Sequence, residues 1–103
     1  MKKVCPIIAV YDNLLGYKNI SVEQNEAVAK RGFTNSLKYV LESGEYNDVN
    51  PTDLSLYCLG TVDLVSGDIE PCNPRAIVHG TTIVTEWQLS KCNCEDNKKV
   101  EEV

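Results

Sequence analysis

The chain has 103 residues, enough for one small domain, and its 43% apolar and 24% charged residues are ordinary for a globular protein. Its formal net charge of −5 excludes a non-specific grip on nucleic acid over the whole surface, because such a grip rests on neutralising phosphates. No apolar run approaches the ~20 residues of a membrane span, and the short apolar run behind Met1-Lys2-Lys3 reaches Asp12 with no cleavage pattern of a signal peptide.

The charge is unevenly spread. Through Gly44, six basic residues stand against four acidic ones; beyond it, four stand against eleven. A basic face is therefore expected on the N-terminal half alone.

Val4 to Tyr11, V-C-P-I-I-A-V-Y, is short, apolar and β-branched, which predicts a strand. Pro6 cannot donate to a ladder, so pairing is expected to begin after it or at an edge. Asp12-Asn13 is turn chemistry, and Leu14 to Ile20 is read as the returning strand, with a bulge or tight approach at Gly16. A helix follows over Ser21 to Ser43, with Ser21 as N-cap and Gln24 three residues on. Ala29, Phe33, Leu37, Val40 and Leu41 line one helical face. Gly44 closes the helix, and Lys30, Arg31 and Lys38 lie off the apolar stripe.

Glu45 to Thr52 reads as a loop. Asp53 to Leu64 alternates as a strand with a bulge at Gly60, and Val65-Ser66-Gly67-Asp68 is a hairpin turn. Ile69 and Glu70 start a return strand that Pro71, Asn73 and Pro74 are expected to break. Arg75 to Trp87, with Ala76-Ile77-Val78 and Thr81-Thr82-Ile83-Val84-Thr85, is read as a further strand. The predicted architecture is α+β: one helix on an antiparallel sheet in the order strand-strand-helix-strand-strand, plus an extra C-terminal strand. Residues 1–89 form the domain, and 90–103 an acidic, Cys-containing, disordered tail. One helix leaves a sheet face open, to be solvated, to bind DNA or peptide, or to be covered by a second copy.

Chemistry-bearing patterns are sparse. The five cysteines, Cys5, Cys58, Cys72, Cys92 and Cys94, are odd in number and point to a reduced compartment rather than a disulfide framework. Cys92-Asn93-Cys94 with Cys72 and His79 has the wrong spacing for zinc, so no metal and no cofactor are expected. His79 stands in strand or turn context, and no Ser or Cys has a base partner identifiable in the sequence, so no enzyme is expected. The remaining signal sets basic residues near aromatics: Tyr11, Tyr17 and Lys18 on the hairpin, and Lys30, Arg31 and Lys38 on the helix. Aromatics on a sheet can stack bases while cations neutralise phosphate. In an acidic chain, tyrosines packed at the sheet rim and a solvated helix face account for the same residues.

Three pieces carry a family resemblance: A-V-Y-D at Ala9 to Asp12, N-E-A-V-A-K-R-G-F at Asn25 to Phe33, and N-P-T-D-L-S-L-Y-C-L-G-T-V-D-L-V-S-G-D-I at Asn50 to Ile69. Together, in this order and spacing, the chain resembles the small nonstructural protein of gokushoviruses, the single-stranded DNA phages of the Microviridae, from about Ile8 to Glu70. That family often has an apolar pair where this chain has Lys18-Asn19-Ile20, and the resemblance is not traced from Pro71 onward. The resemblance implies a protein that binds DNA, single-stranded above all, in genome replication or packaging in the host bacterial cytoplasm; a homodimer is expected separately, because a core this small would gain from dimerisation. Tyr11, Tyr17, Lys18, Lys30, Arg31 and Lys38 are the expected contacts, chosen by charge and position. The alternative is a protein-interaction module that engages a phage or host protein through its open sheet face.

Overall fold

Strands β1 (Val4–Asp12) and β2 (Gly16–Val22) form a hairpin that leads into helix α1 (Glu26–Ser43). Strands β3 (Leu54–Asp63) and β4 (Ile69–His79) form a second hairpin that leads into helix α2 (Gly80–Glu102). This computed structural model describes residues 2–44 and 50–102, with side chains described as far as Lys91. The four strands make one antiparallel sheet in the order β2-β1-β3-β4, so the architecture is α+β as expected. Of the loop expected over Glu45 to Thr52, residues 45–49 lie outside the described residues.

The central strand β1 tolerates Pro6 because of where its nitrogen points. The Pro6 carbonyl accepts from the Glu23 backbone N–H at 3.1 Å, so that side of the residue faces β2. The β1–β2 register begins one residue later, with Ile7 opposite Val22, and the missing N–H therefore falls at the end of the ladder. Asp12 closes the hairpin at the other end. It is buried, its carboxylate accepts the Leu14 backbone N–H at 2.8 Å, and Lys18 Nζ lies 3.4 Å away.

Helix α1 starts later than its sequence predicts. Ser21 is not an N-cap: it pairs with Ile8 inside β2, because ladder bonds hold that segment extended. The cap is Asn25, whose side chain accepts the Val28 backbone N–H at 2.8 Å. Of the expected stripe, Ala29, Phe33, Leu37 and Leu41 are buried and Val40 is half-buried. Gly44 ends the helix at φ +70, as predicted, and donates its N–H to the Val40 carbonyl. At Gly60 the expected bulge is also present: φ is +152 and the registers on both sides skip a residue there.

Two expectations fail beyond that hairpin. Pro71, Asn73 and Pro74 do not break β4, which runs unbroken from Ile69 to His79. β4 is an edge strand with two register shifts, and an edge has no second neighbour to receive the missing N–H bonds. The expected C-terminal strand is instead the start of helix α2, which runs from Gly80 to Glu102. Local β-propensity in Thr81-Thr82-Ile83-Val84-Thr85 is overridden by packing. Ile83 and Trp87, four residues apart, turn inward, and Ile83 is only 2% exposed. Gly80 permits this reversal: a Cβ there would lie inside the Pro51 carbonyl oxygen and 2.5 Å from that of Leu54.

The core sits between the helices and one face of the sheet, where Ile8, Leu54, Leu56 and Cys58 meet Ala29, Phe33, Leu37 and Ile83. Side chains tie the layers together at their margins. Arg75 on β4 forms a two-bond salt bridge with Glu26 in the first turn of α1, one bond at 3.0 Å. Trp87 Nε1 donates to Glu42 at 2.8 Å, Lys91 Nζ reaches the other Glu42 oxygen at 3.3 Å, and together they join α2 to the end of α1.

Three outcomes are expected. Ile83→Ala removes the best-buried side chain of α2 and costs about 2–5 kcal/mol in urea unfolding. Gly80→Ala forces the Pro51 turn and α2 apart, read as loss of the Trp87 near-ultraviolet circular dichroism band. The third is acid sensitivity. Arg75 holds Glu26, and Trp87 with Lys91 holds Glu42, below the ordinary 4.5; backbone N–H groups, led by those of Leu14 and Val65, hold Asp12 and Asp63 below the ordinary 3.8. Carboxylates depressed on folding stabilise the fold above their unfolded pKa, and that contribution is lost as pH falls through the folded value. The melting temperature should hold steady near neutrality and fall below about pH 4.

Candidate functional site

Strand alternation divides the expected contact residues between two sides of the sheet. Tyr11 and Tyr17 face each other across β1 and β2, with ring centroids 4.8 Å apart. They belong to the face opposite Val10, which packs against the core. Lys18 is paired with Val10 and so lies on the helix side. There it borders a cleft of about 350 Å³ between β2 and α1, floored by Val10, Phe33, Leu37 and Leu56. Lys18 is already engaged by buried Asp12, and that ion pair closes the hairpin before it can serve a ligand.

Lys30, Arg31 and Lys38 are exposed on α1, off its buried stripe, and Lys38 borders the cleft between α1 and α2 that Glu42 and Glu86 also line. Arg31 and Lys38 are seven residues apart, two turns or about 10.5 Å along the axis. The ion pairs among the described residues are Lys18–Asp12, Arg75–Glu26 and Lys91–Glu42. None involves Lys30, Arg31 or Lys38, which stand as free cations among the described residues. The structure thus brings the three helix cations onto one element and the two tyrosines onto the far side of the sheet. It does not assemble the six into one surface.

On the open face the tyrosines have partners that the sequence did not single out. Tyr57 of β3 stands 5.7 Å from both Tyr11 and Tyr17, ring centroid to centroid, and His79 of β4 is 6.4 Å from Tyr57. All the rings meet edge to face. Burial, together with the neighbouring Tyr57 and Tyr11, pushes the Tyr17 phenol above its ordinary pKa. The signal for Tyr57 was present in the alternation of β3, since it points away from Leu56 and Cys58. His79 shares a hydrogen bond of 2.9 Å with Ser55, its cross-strand partner. This supplies the Ser–His contact that the linear sequence concealed. Among the described residues no carboxylate bonds the imidazole in turn, so the pair lacks the group that orients a catalytic base.

Among the described residues, no group of three His, Cys, Asp or Glu side chains could hold a metal ion. Cys5, Cys58 and Cys72 are free thiols; the side chains of Cys92 and Cys94 lie outside the described residues. Cys72 rests 3.7 Å from the Cys58 carbonyl, and burial raises its pKa, which leaves it a poor nucleophile. No described helix is long and apolar enough to cross a membrane.

No curated protein and no solved structure matches the chain. A family does match, and over residues 5–83 it takes in both hairpins, α1 and the Gly80–Ile83 start of α2, the parts that build the core and present the helix cations. By that match the chain belongs to the Phage ORF5 protein family.

Proposed function

We propose that this phage protein binds single-stranded DNA through the outer surface of α1, with Lys30, Arg31 and Lys38 taking successive phosphates. One observation carries the reading: in a chain of net charge −5, these three cations are exposed and none is in an ion pair among the described residues, although Glu42 and Glu86 line the same cleft as Lys38. Cations left unpaired on an acidic protein are available to a polyanion. The protein acts by binding, without a cofactor, and not by catalysis. Its work lies in genome replication or packaging in the host bacterial cytoplasm, in keeping with its resemblance to the gokushovirus nonstructural protein.

Tyr11 and Tyr17 are left out of this contact, since a strand lying on α1 would have to pass around the sheet edge to reach them. Lys18 is left out by its pairing with Asp12. Phosphate contacts of this kind position a strand without reading its bases, so little sequence preference follows.

Filter binding of a mixed-sequence oligonucleotide across a salt series tests the proposal. Three phosphate contacts give a slope of log K against log salt of about −2, and Lys30→Ala with Arg31→Ala leaves about −0.7. The double variant weakens binding for every sequence alike. A flat salt response, or an unchanged slope in the double variant, overturns the assignment.

A further inference from the structure

We infer that the open face of the sheet is the contact between two copies of this chain, packed face to face. The inference is independent of the DNA reading, which uses the opposite side of the molecule.

The first observation is charge. Between the first and last paired residues of each strand, alternation and register send every Lys, Arg, Asp and Glu to the helix side. Asp12 follows Val10, Lys18 opposes Val10, Arg75 opposes Cys58, Glu70 opposes Thr61 beside Pro6, and Asp63 opposes Val4. The open face keeps Tyr11, Tyr17, Tyr57, Val22, Val62 and Ile69 as its larger side chains. Tyr17 is 41% exposed, Val22 45% and Ile69 62%. A solvated sheet face ordinarily alternates to polar and charged residues; this one does not.

Charge also selects the occupant. Two chains of net charge −5 repel each other, and a face without charge is where they can meet at least cost. The same uncharged face suits a nucleic acid poorly: bases could stack on the tyrosines, but no cation there holds the phosphates.

The area is sufficient. Four strands about 4.8 Å apart, each with about seven paired residues at ~3.4 Å, span on the order of 450 Å² in projection. Side-chain relief raises this towards the roughly 800 Å² per partner of a standard interface. A contact between β2 edges is disfavoured by the edge itself. β2 is bulged where its register with β1 shifts between Ile8 and Val10, and Asn19 stands at φ +52, so the outward row of backbone groups is interrupted.

Sedimentation equilibrium of the full chain, from low to high micromolar concentration, tests the inference. A dimer mass is expected. Tyr17→Glu and Ile69→Glu, each at a partly exposed position that the monomer tolerates, should weaken the dimer about thirtyfold or more. Tyr39→Glu, 75% exposed on α1, should leave the mass unchanged. Circular dichroism of each variant separates dissociation from unfolding. Lys30→Ala with Arg31→Ala should keep the dimer, which separates this result from any failure of DNA binding. A wild-type monomer throughout the range overturns the inference. So does a dimer that survives both open-face variants, a dimer whose outward β2 amides are strongly protected from exchange, or a monomer whose tyrosine emission is quenched by single-stranded oligonucleotide.

Discussion

Phe33, Leu37 and Ile83 meet Ile8, Leu54, Leu56 and Cys58 in a core one layer deep. A sheet of four strands has two faces, and the described helices cover only one of them. That constraint orders the rest of the molecule. The helices must lie side by side on the same face, so α1 and α2 need fastenings to each other and to the sheet. Glu42 with Trp87 and Lys91 supplies one, and Glu26 with Arg75 supplies another. Both are partly exposed charge contacts that position the layers more than they stabilise them. The stability itself comes from the apolar contact beneath.

The sequence made this core legible where a single period was at work. The stripe Ala29, Phe33, Leu37 and Leu41 recurs at four-residue intervals, and the inward residues Leu54, Leu56 and Cys58 alternate along β3. Gly44 and Gly60 were legible because their backbone angles exclude most other residues. The boundary of α1 was not, since Ser21 and Asn25 both offer capping chemistry and only the ladder with β1 decides between them. The α2 segment misled for a deeper reason. Its β-branched run favours a strand locally, while the turn at Pro51 and the inward place for Ile83 exist only once the chain has folded. The prolines of β4 misled in the opposite sense, because a breaker in isolation is harmless on an edge.

The candidate site was legible as residues and not as geometry. Charge counting placed free cations on the N-terminal half, and Lys30, Arg31 and Lys38 are there. Proximity in sequence joined Tyr17 to Lys18, yet adjacent strand residues point to opposite faces, and the pair is split across the sheet. Tyr57, forty and more residues away in the chain, is the true neighbour of Tyr17 and Tyr11, and His79 in turn adjoins Tyr57. The molecule therefore has two unlike exteriors: a helical one that carries charges of both signs, Lys30, Arg31 and Lys38 among them, and a strand-built one without formal charge.

The chain contains one tryptophan, and its indole N–H is bonded to Glu42 between the two helices. Three of its five tyrosines are gathered on the far side of the sheet. The two chromophores consequently sit in separate compartments of the same small body. Indole emission registers whether α2 is seated, phenol emission registers what touches the strands, and neither signal need be engineered into the protein.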